Sequence, residues 1–162
     1  MQIIDDTVIR LLASPDTAKE ILRGIAKSEV LHDCMLRDYD WPGMFTPFEH
    51  QKTTASFLSL RRRAFCFNEA GTGKTSAAIW AADYLMKLGV IKRVLIICPL
   101  SIMYSAWQAD IFKTAMHRTT AVAYGSVDKR LKVIEAKYDF TIINFDGVNT
   151  IKNELKNAYY DL

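Results

Sequence analysis

The sequence predicts an α/β fold, a doubly wound parallel sheet with helices on both faces. Three observations carry that expectation. Short, continuously apolar runs such as "RVLIICP" and "DFTIINF" alternate with helical patterns of ten or more residues, the signature of strands buried on both faces. A glycine-rich turn, "AGTGKT", joins one apolar run to one helix. With 50% hydrophobic residues, the 162-residue chain has enough apolar surface to bury a core. Sheets of this kind bind ligands outside the carboxyl ends of their strands, and the glycine turn falls at one such end.

The elements follow in order. Ser14 and Pro15 open a first helix as N-cap and first residue, with Ala18, Ile21, Leu22 and Ile25 repeating at helical spacing. A loop rich in turn formers and aromatics follows, "RDYDWPGMF". Thr46 and Glu49 then form a capping box for a helix over about 47–60. Next come the strand "AFCF", the glycine turn, a helix to about Lys87 closed by Gly89, and the strand "RVLIICP". The spacing then predicts a helix over 101–113, a strand at "TTAVAY" and a helix from Ser126 with Val127, Leu131 and Ile134 on one face. The strand "DFTIINF" and a helical stretch from Gly147 close the sequence.

Composition excludes several classes. A net charge of +3, from 21 Lys and Arg against 18 Asp and Glu, permits a polyanionic partner without requiring one. Cys34, Cys66 and Cys98 form no C-x-x-C pair or metal spacing, which points to a reduced, intracellular protein, cytoplasmic or associated with nucleoid or nucleus. No run approaches the roughly 18 apolar residues of a spanning helix, and the acidic N-terminus is unlike a signal peptide, so neither membrane insertion nor secretion is expected.

The chemistry concentrates at "NEAGTGKTS". Gly71 and Gly73 let the backbone curl so that successive N–H groups face one concavity, and their lack of side chains admits a phosphate chain. The helix starting near Lys74 adds the positive end of its dipole. A phosphate-binding loop would then comprise Ala70, Gly71, Thr72, Gly73, Lys74, Thr75 and Ser76, with Lys74 reaching the β- and γ-phosphates and the Thr75 hydroxyl on Mg²⁺. The full pattern G-x-x-x-x-G-K-[ST] has a glycine five positions before Gly73, where this chain has Asn68.

That departure is compatible with motif I of superfamily 2 helicases and translocases, which does not require the first glycine, and "NEAGTGKT" resembles it. Around it, "FTPFEHQ" resembles the Q-type element in which a glutamine reads the adenine edge; Gln51 is the candidate, or else a helix glutamine bonded to backbone. "RVLIICPLSIMYSAW" resembles motif Ia of Swi/Snf-like ATPases. Pro99 would end the strand there, and Ser101 would cap a helix whose N-terminus, with Leu100, suits a nucleic-acid phosphate. Trp107 shares a face with Tyr104 and Ile111 and reads as core packing. "AVAYGSVDKR" and "YDFTIINFDGV" resemble the next two strand ends, where Tyr124 and Gly125 either touch backbone phosphates or serve a tight turn sterically. Tyr39 or Trp41 would lie against an adenine or cover the core, and Arg61 to Arg63 would face nucleic acid or form a solvated loop.

The resemblance covers 45–162 and implies a partial RecA-like, P-loop ATP-binding lobe, with 1–44 an accessory extension. It implies ATP and Mg²⁺ as cofactors and DNA, through its phosphate backbone, as partner of a helicase or translocase ATPase. The Asp-Glu box of that family and the second RecA-like lobe with its arginine finger are not in this sequence. The chain is therefore expected to be a fragment or a natural truncation, able to hold ATP and slow to hydrolyse it. A P-loop small-molecule kinase and a non-catalytic nucleotide-binding or interaction module remain open.

Overall fold

The structure is a computed structural model, and it describes residues 34–61 and 63–162. The helix expected from Ser14 lies outside the described residues. Two compact units emerge: residues 34–41 with 46–90, and residues 42–45 with 91–162.

In the first unit, helix α1 (Glu49–Ser59) packs against helix α2 (Lys74–Lys87). Alanine at Ala77, Ala81 and Ala82 favours α2 intrinsically and lets neighbours approach closely, and all three are buried. The helix ends in a Schellman motif at Gly89, with Gly89 N–H donating to Met86 and Val90 N–H to Leu85. Trp80 and Ile79 are fully buried, each contributing about 1.5–3 kcal/mol of transfer free energy. Against this face lies the "DYDW" segment. Tyr39 stacks edge-on against Trp41 and Tyr84, Trp41 against Trp80, and the Tyr39 hydroxyl donates to Asp83 Oδ2 at 2.6 Å. Tyr39 is buried and Trp41 half-buried, so these aromatics cover the core.

The capping box expected from Thr46 and Glu49 does not form. Phe48 is the N-cap of α1, and its N–H donates to Gln51 Oε1 at 3.0 Å. Phe48 is extended, with φ −70° and ψ 156°, so the helix starts later than expected and the glutamine three residues on becomes the capping side chain. The strand expected at "AFCF" is also absent: 64–68 is irregular, and Phe65 and Phe67 are 82% and 87% exposed, stacked on each other at 5.6 Å. A strand exists only through ladder partners, and this segment has none in the three-stranded sheet of the described residues.

The second unit is built on a parallel sheet of β1 (Val94–Cys98), β2 (Thr120–Ala123) and β3 (Phe140–Asn144) in the order β1-β3-β2. Val94 and Thr120 both register with Phe140. All five residues of central β3 are buried, whereas β1 exposes Ile97 and β2 buries only Ala123, as central and edge positions require. Ala123 of β2 and Ile143 of β3 form a buried cluster with Ile134 and Ile151.

Between β1 and β2 the single expected helix is a composite: a 3₁₀ turn (Leu100–Ile102), a π-helical stretch (Met103–Gln108) and helix α3 (Ala109–Thr114). Ser101 therefore lies inside the first turn and caps nothing; Pro99 precedes that turn, and the Ser101 carbonyl accepts from Ser105 Oγ. Ile111 is fully buried, Trp107 half-buried and Tyr104 exposed, so the tyrosine leaves the face the spacing gave it, since the wider π turn shifts its direction. Helix α4 (Val127–Glu135) follows Ser126 as expected, and the final stretch forms α5 (Phe145–Thr150) and α6 (Lys152–Asn157), broken at Ile151. Among the described residues no helix is long and apolar enough to cross a membrane.

Candidate functional site

The glycine turn is held from α1 by two successive side chains. Gln51 Nε2 donates to the Thr72 carbonyl at 3.2 Å, and His50 Nε2 meets the same oxygen at 3.1 Å. Asn68, at the position of the missing glycine, donates from Nδ2 to Thr54 Oγ1 at 2.9 Å. The departure from the longer pattern thus has a structural use: an amide side chain ties the start of the loop to the same helix that holds its end.

Gly71 and Gly73 both adopt left-handed backbone, φ 78° and 75°, and Gly73 is the N-cap of α2. A Cβ on Gly73 would fall 2.0 Å from Gln51 Nε2, so glycine is required there twice over. Ala77 N–H is the first to bond back into the helix, to the Gly73 carbonyl. The opening residues Lys74 and Thr75 thus sit at the end of a 14-residue helix where N–H groups lack intrahelical acceptors. Lys74 Nζ bonds two carbonyls of its own loop, Asn68 at 2.8 Å and Glu69 at 2.7 Å, while Thr72 Oγ1 donates to the Glu69 carbonyl. A cation, a left-handed glycine pair and a helix N-terminus therefore converge, an arrangement chemically suited to a polyphosphate. Ala70 and Gly71 are exposed, and Thr72, Gly73, Thr75 and Ser76 half-buried.

The other candidates lie in the second unit. Pro99, Leu100 and Ser101 follow β1 and are exposed; Tyr124 and Gly125 follow β2 and are exposed as well. Since the strands are parallel, both groups stand at the same end of the sheet, on either side of β3. Gly125 has φ 99°, and Tyr124 N–H bonds back to Val122. Sequence reasoning missed the residue that organises this end, Arg130. It occupies a buried position four before Ile134, on the inward face of α4, and an arginine at an apolar-periodic position was the available signal.

Among the described residues titration is shifted at three groups. Burial first, then the nearby Cys34 and Asp38, pushes the Tyr84 hydroxyl up to about 12. Burial also pushes up the Cys98 thiol at the end of β1, which keeps it protonated and unreactive, and raises the Asp110 carboxyl against an opposing pull from Lys113. None of these groups belongs to the glycine loop.

Known proteins place this architecture. No curated protein matches the chain. Among solved structures it is similar to the Sulfolobus solfataricus SWI2/SNF2 ATPase core in complex with dsDNA. The TM-score is 0.57 at 24% identity, over 65% of this chain and 23% of that one, so the chain spans about a quarter of that protein's length. The likeness is one of fold, a RecA-like α/β sheet. The profile of the family described as type III restriction enzyme, res subunit, matches residues 44–162, most of the chain, and the protein belongs to that helicase-type family.

Proposed function

We propose that this chain carries the ATP-binding loop and part of the DNA-contacting surface of a superfamily 2 motor, a DNA-dependent ATPase of helicase or translocase type. The observation that carries the reading is the loop at 68–76: left-handed glycines leading into α2 at Lys74, held from α1 by Gln51. In this reading Lys74 exchanges the Asn68 and Glu69 carbonyls for the β- and γ-phosphates, and the first turn of α2 faces the phosphate chain. In the same reading the Thr75 hydroxyl, in the first turn of α2, is the protein's contact to Mg²⁺. An amide has two N–H donors and two oxygen lone pairs; Gln51 spends one of each on Thr72 and Phe48 and keeps one of each for an adenine edge.

The strand ends at Pro99–Ser101 and Tyr124–Gly125 are the proposed contacts to DNA backbone, supported by their shared end of the sheet and by the double-stranded DNA in the Sulfolobus structure. Residues 1–44 are proposed as an extension to the lobe at 45–162. Without the Asp-Glu pair and a second lobe, hydrolysis by these residues alone is proposed to be slow.

The test is equilibrium binding of a fluorescent ATP analogue with Mg²⁺, beside binding of labelled duplex DNA. Lys74→Ala is expected to weaken the nucleotide about a hundredfold and Gln51→Ala about tenfold, with GTP a poor competitor. Absence of nucleotide binding by the parent chain overturns the reading, equal competition by GTP overturns the adenine role of Gln51, and ATP binding without DNA binding favours a small-molecule phosphotransferase.

A further inference from the structure

We propose that Arg130 is the positioning residue for nucleic-acid contacts at the ends of β2 and β3, an inference that rests on the DNA-binding role proposed above. Its side chain is 7% exposed and makes three hydrogen bonds, all to neutral oxygens. Nε donates to the Gly125 carbonyl at 3.0 Å, and Nη1 to the Ala123 carbonyl at 2.7 Å and to Asn144 Oδ1 at 3.0 Å. The guanidinium carbon also lies 5.5 Å from the centre of the Tyr124 ring. One planar fork thus fixes the last residue of β2, both residues of the Tyr124–Gly125 turn and the last residue of β3.

Two features argue that this is more than a strand tie. A buried guanidinium is ordinarily paired with a carboxylate, and among the described residues no acidic side chain bonds Arg130. Its charge is left to act on whatever docks over the exposed Tyr124 and Gly125, where a phosphate is the complementary ligand. The turn has a second cation beside it: a Cβ on Gly125 would fall 3.3 Å from Lys129 Cδ. Room for the fork comes from Gly147 in α5. A Cβ there would fall 2.1 Å from Arg130 Nη1 and 2.8 Å from Asn144 Oδ1, so even alanine would push the guanidinium off its acceptors. Arginine suits this role and lysine does not, because only a rigid planar fork reaches three acceptors in fixed directions.

The experiment uses the full chain with two probes, a fluorescein-labelled DNA duplex and a fluorescent ATP analogue with Mg²⁺, over a salt series. The variants are Arg130→Lys, Arg130→Gln and Gly147→Ala, the last leaving every charge in place. Each is expected to bind DNA roughly tenfold more weakly or worse, with Arg130→Lys recovering only part of the loss in Arg130→Gln. The salt slope should stay near that of the parent, because the guanidinium holds the contact without making it; a direct phosphate contact would lower the slope by about one. ATP affinity, set by the other unit, should not change.

Parent-like DNA affinity in folded Arg130→Lys and Gly147→Ala overturns the proposal while leaving the DNA reading intact. Loss of ATP and DNA binding together, with a collapsed melting transition, assigns Arg130 to stability alone and also overturns it. A parent chain that binds ATP but no DNA removes the DNA reading first and this inference with it.

Discussion

The two units hold their candidate sites by opposite means. In the sheet unit the strand ends are positioned by a parallel backbone ladder centred on β3, whose five residues are all buried, and one arginine finishes the job. In the loop unit no ladder reaches the segment before the glycines. Position there comes from side chains of α1, with Gln51 and His50 on Thr72 and Thr54 on Asn68. A ladder shares its load among many backbone bonds, whereas each side-chain bond contributes only about 0.5–1.5 kcal/mol and fails singly. The glycine loop should therefore be the more sensitive to single changes, and the sheet end the more robust.

The sharpest way to break that contrast is within the loop itself. Gly71 and Gly73 share a left-handed backbone, so alanine at either incurs the same conformational cost, about 1–2 kcal/mol. Only at Gly73 does the new Cβ also meet a side chain, the Gln51 amide that is fixed at both ends; at Gly71 nothing lies within 4 Å. Gly73→Ala is expected to weaken nucleotide binding about a hundredfold or more, and Gly71→Ala about tenfold. Equal losses in a titration of the two variants would show that Gln51 does not hold the loop.

The same contrast decides what the sequence revealed. The continuous apolar run of β3 is set by burial on two faces and that of β1 by burial of Val94, Ile96 and Cys98 on one, and burial leaves its mark in composition, so the α/β class, three strands and α2 with its Gly89 stop were legible. The glycine turn was legible because left-handed backbone at Gly71 and Gly73 admits few residue types. "AFCF" carried the same apolar mark and misled, since hydrophobicity reports a preference for burial and not the presence of a ladder partner. The α1 cap was misassigned because two capping-box patterns lie two residues apart, Thr46 with Glu49 and Phe48 with Gln51, and the one that forms starts at a phenylalanine, which is not a preferred N-cap. Arg130 was hidden by its charge, which a periodicity count reads as surface.

A smaller effect separates the units by pH. In the loop unit the Tyr84 hydroxyl is pushed up to about 12, first by burial and then by Cys34 and Asp38. A folded value above the ordinary 10.0 means that folding favours the neutral phenol. Its contribution is fully present below pH 10 and is lost as pH rises from 10 toward 12. Denaturant midpoints at pH 8 and near pH 11 should fall for the parent and fall less for Tyr84→Phe; an equal drop in both would place the alkaline sensitivity elsewhere.

The smallest expected effect tests the robustness of the sheet. Thr141 lies at the middle of the unit, on central β3, fully buried, with Ile96 and Val122 registered against the next residue. Its Oγ1 has no hydrogen-bond partner. A buried hydroxyl without a partner incurs a desolvation cost of about 1–3 kcal/mol, and valine has nearly the same shape without the polar atom. Thr141→Val should therefore raise the melting temperature, by an amount corresponding to about 1 kcal/mol, because part of the gain is lost to the methyl's packing. Thr120 Oγ1, on edge strand β2, is buried and unpartnered too, but its strand buries only Ala123 fully, so water reaches its surroundings more readily and Thr120→Val should gain less. If Thr141→Val instead destabilises the chain while Thr120→Val does not, a polar partner reaches the centre of the sheet, and the ladder is not the self-sufficient scaffold that sets this unit apart from the loop.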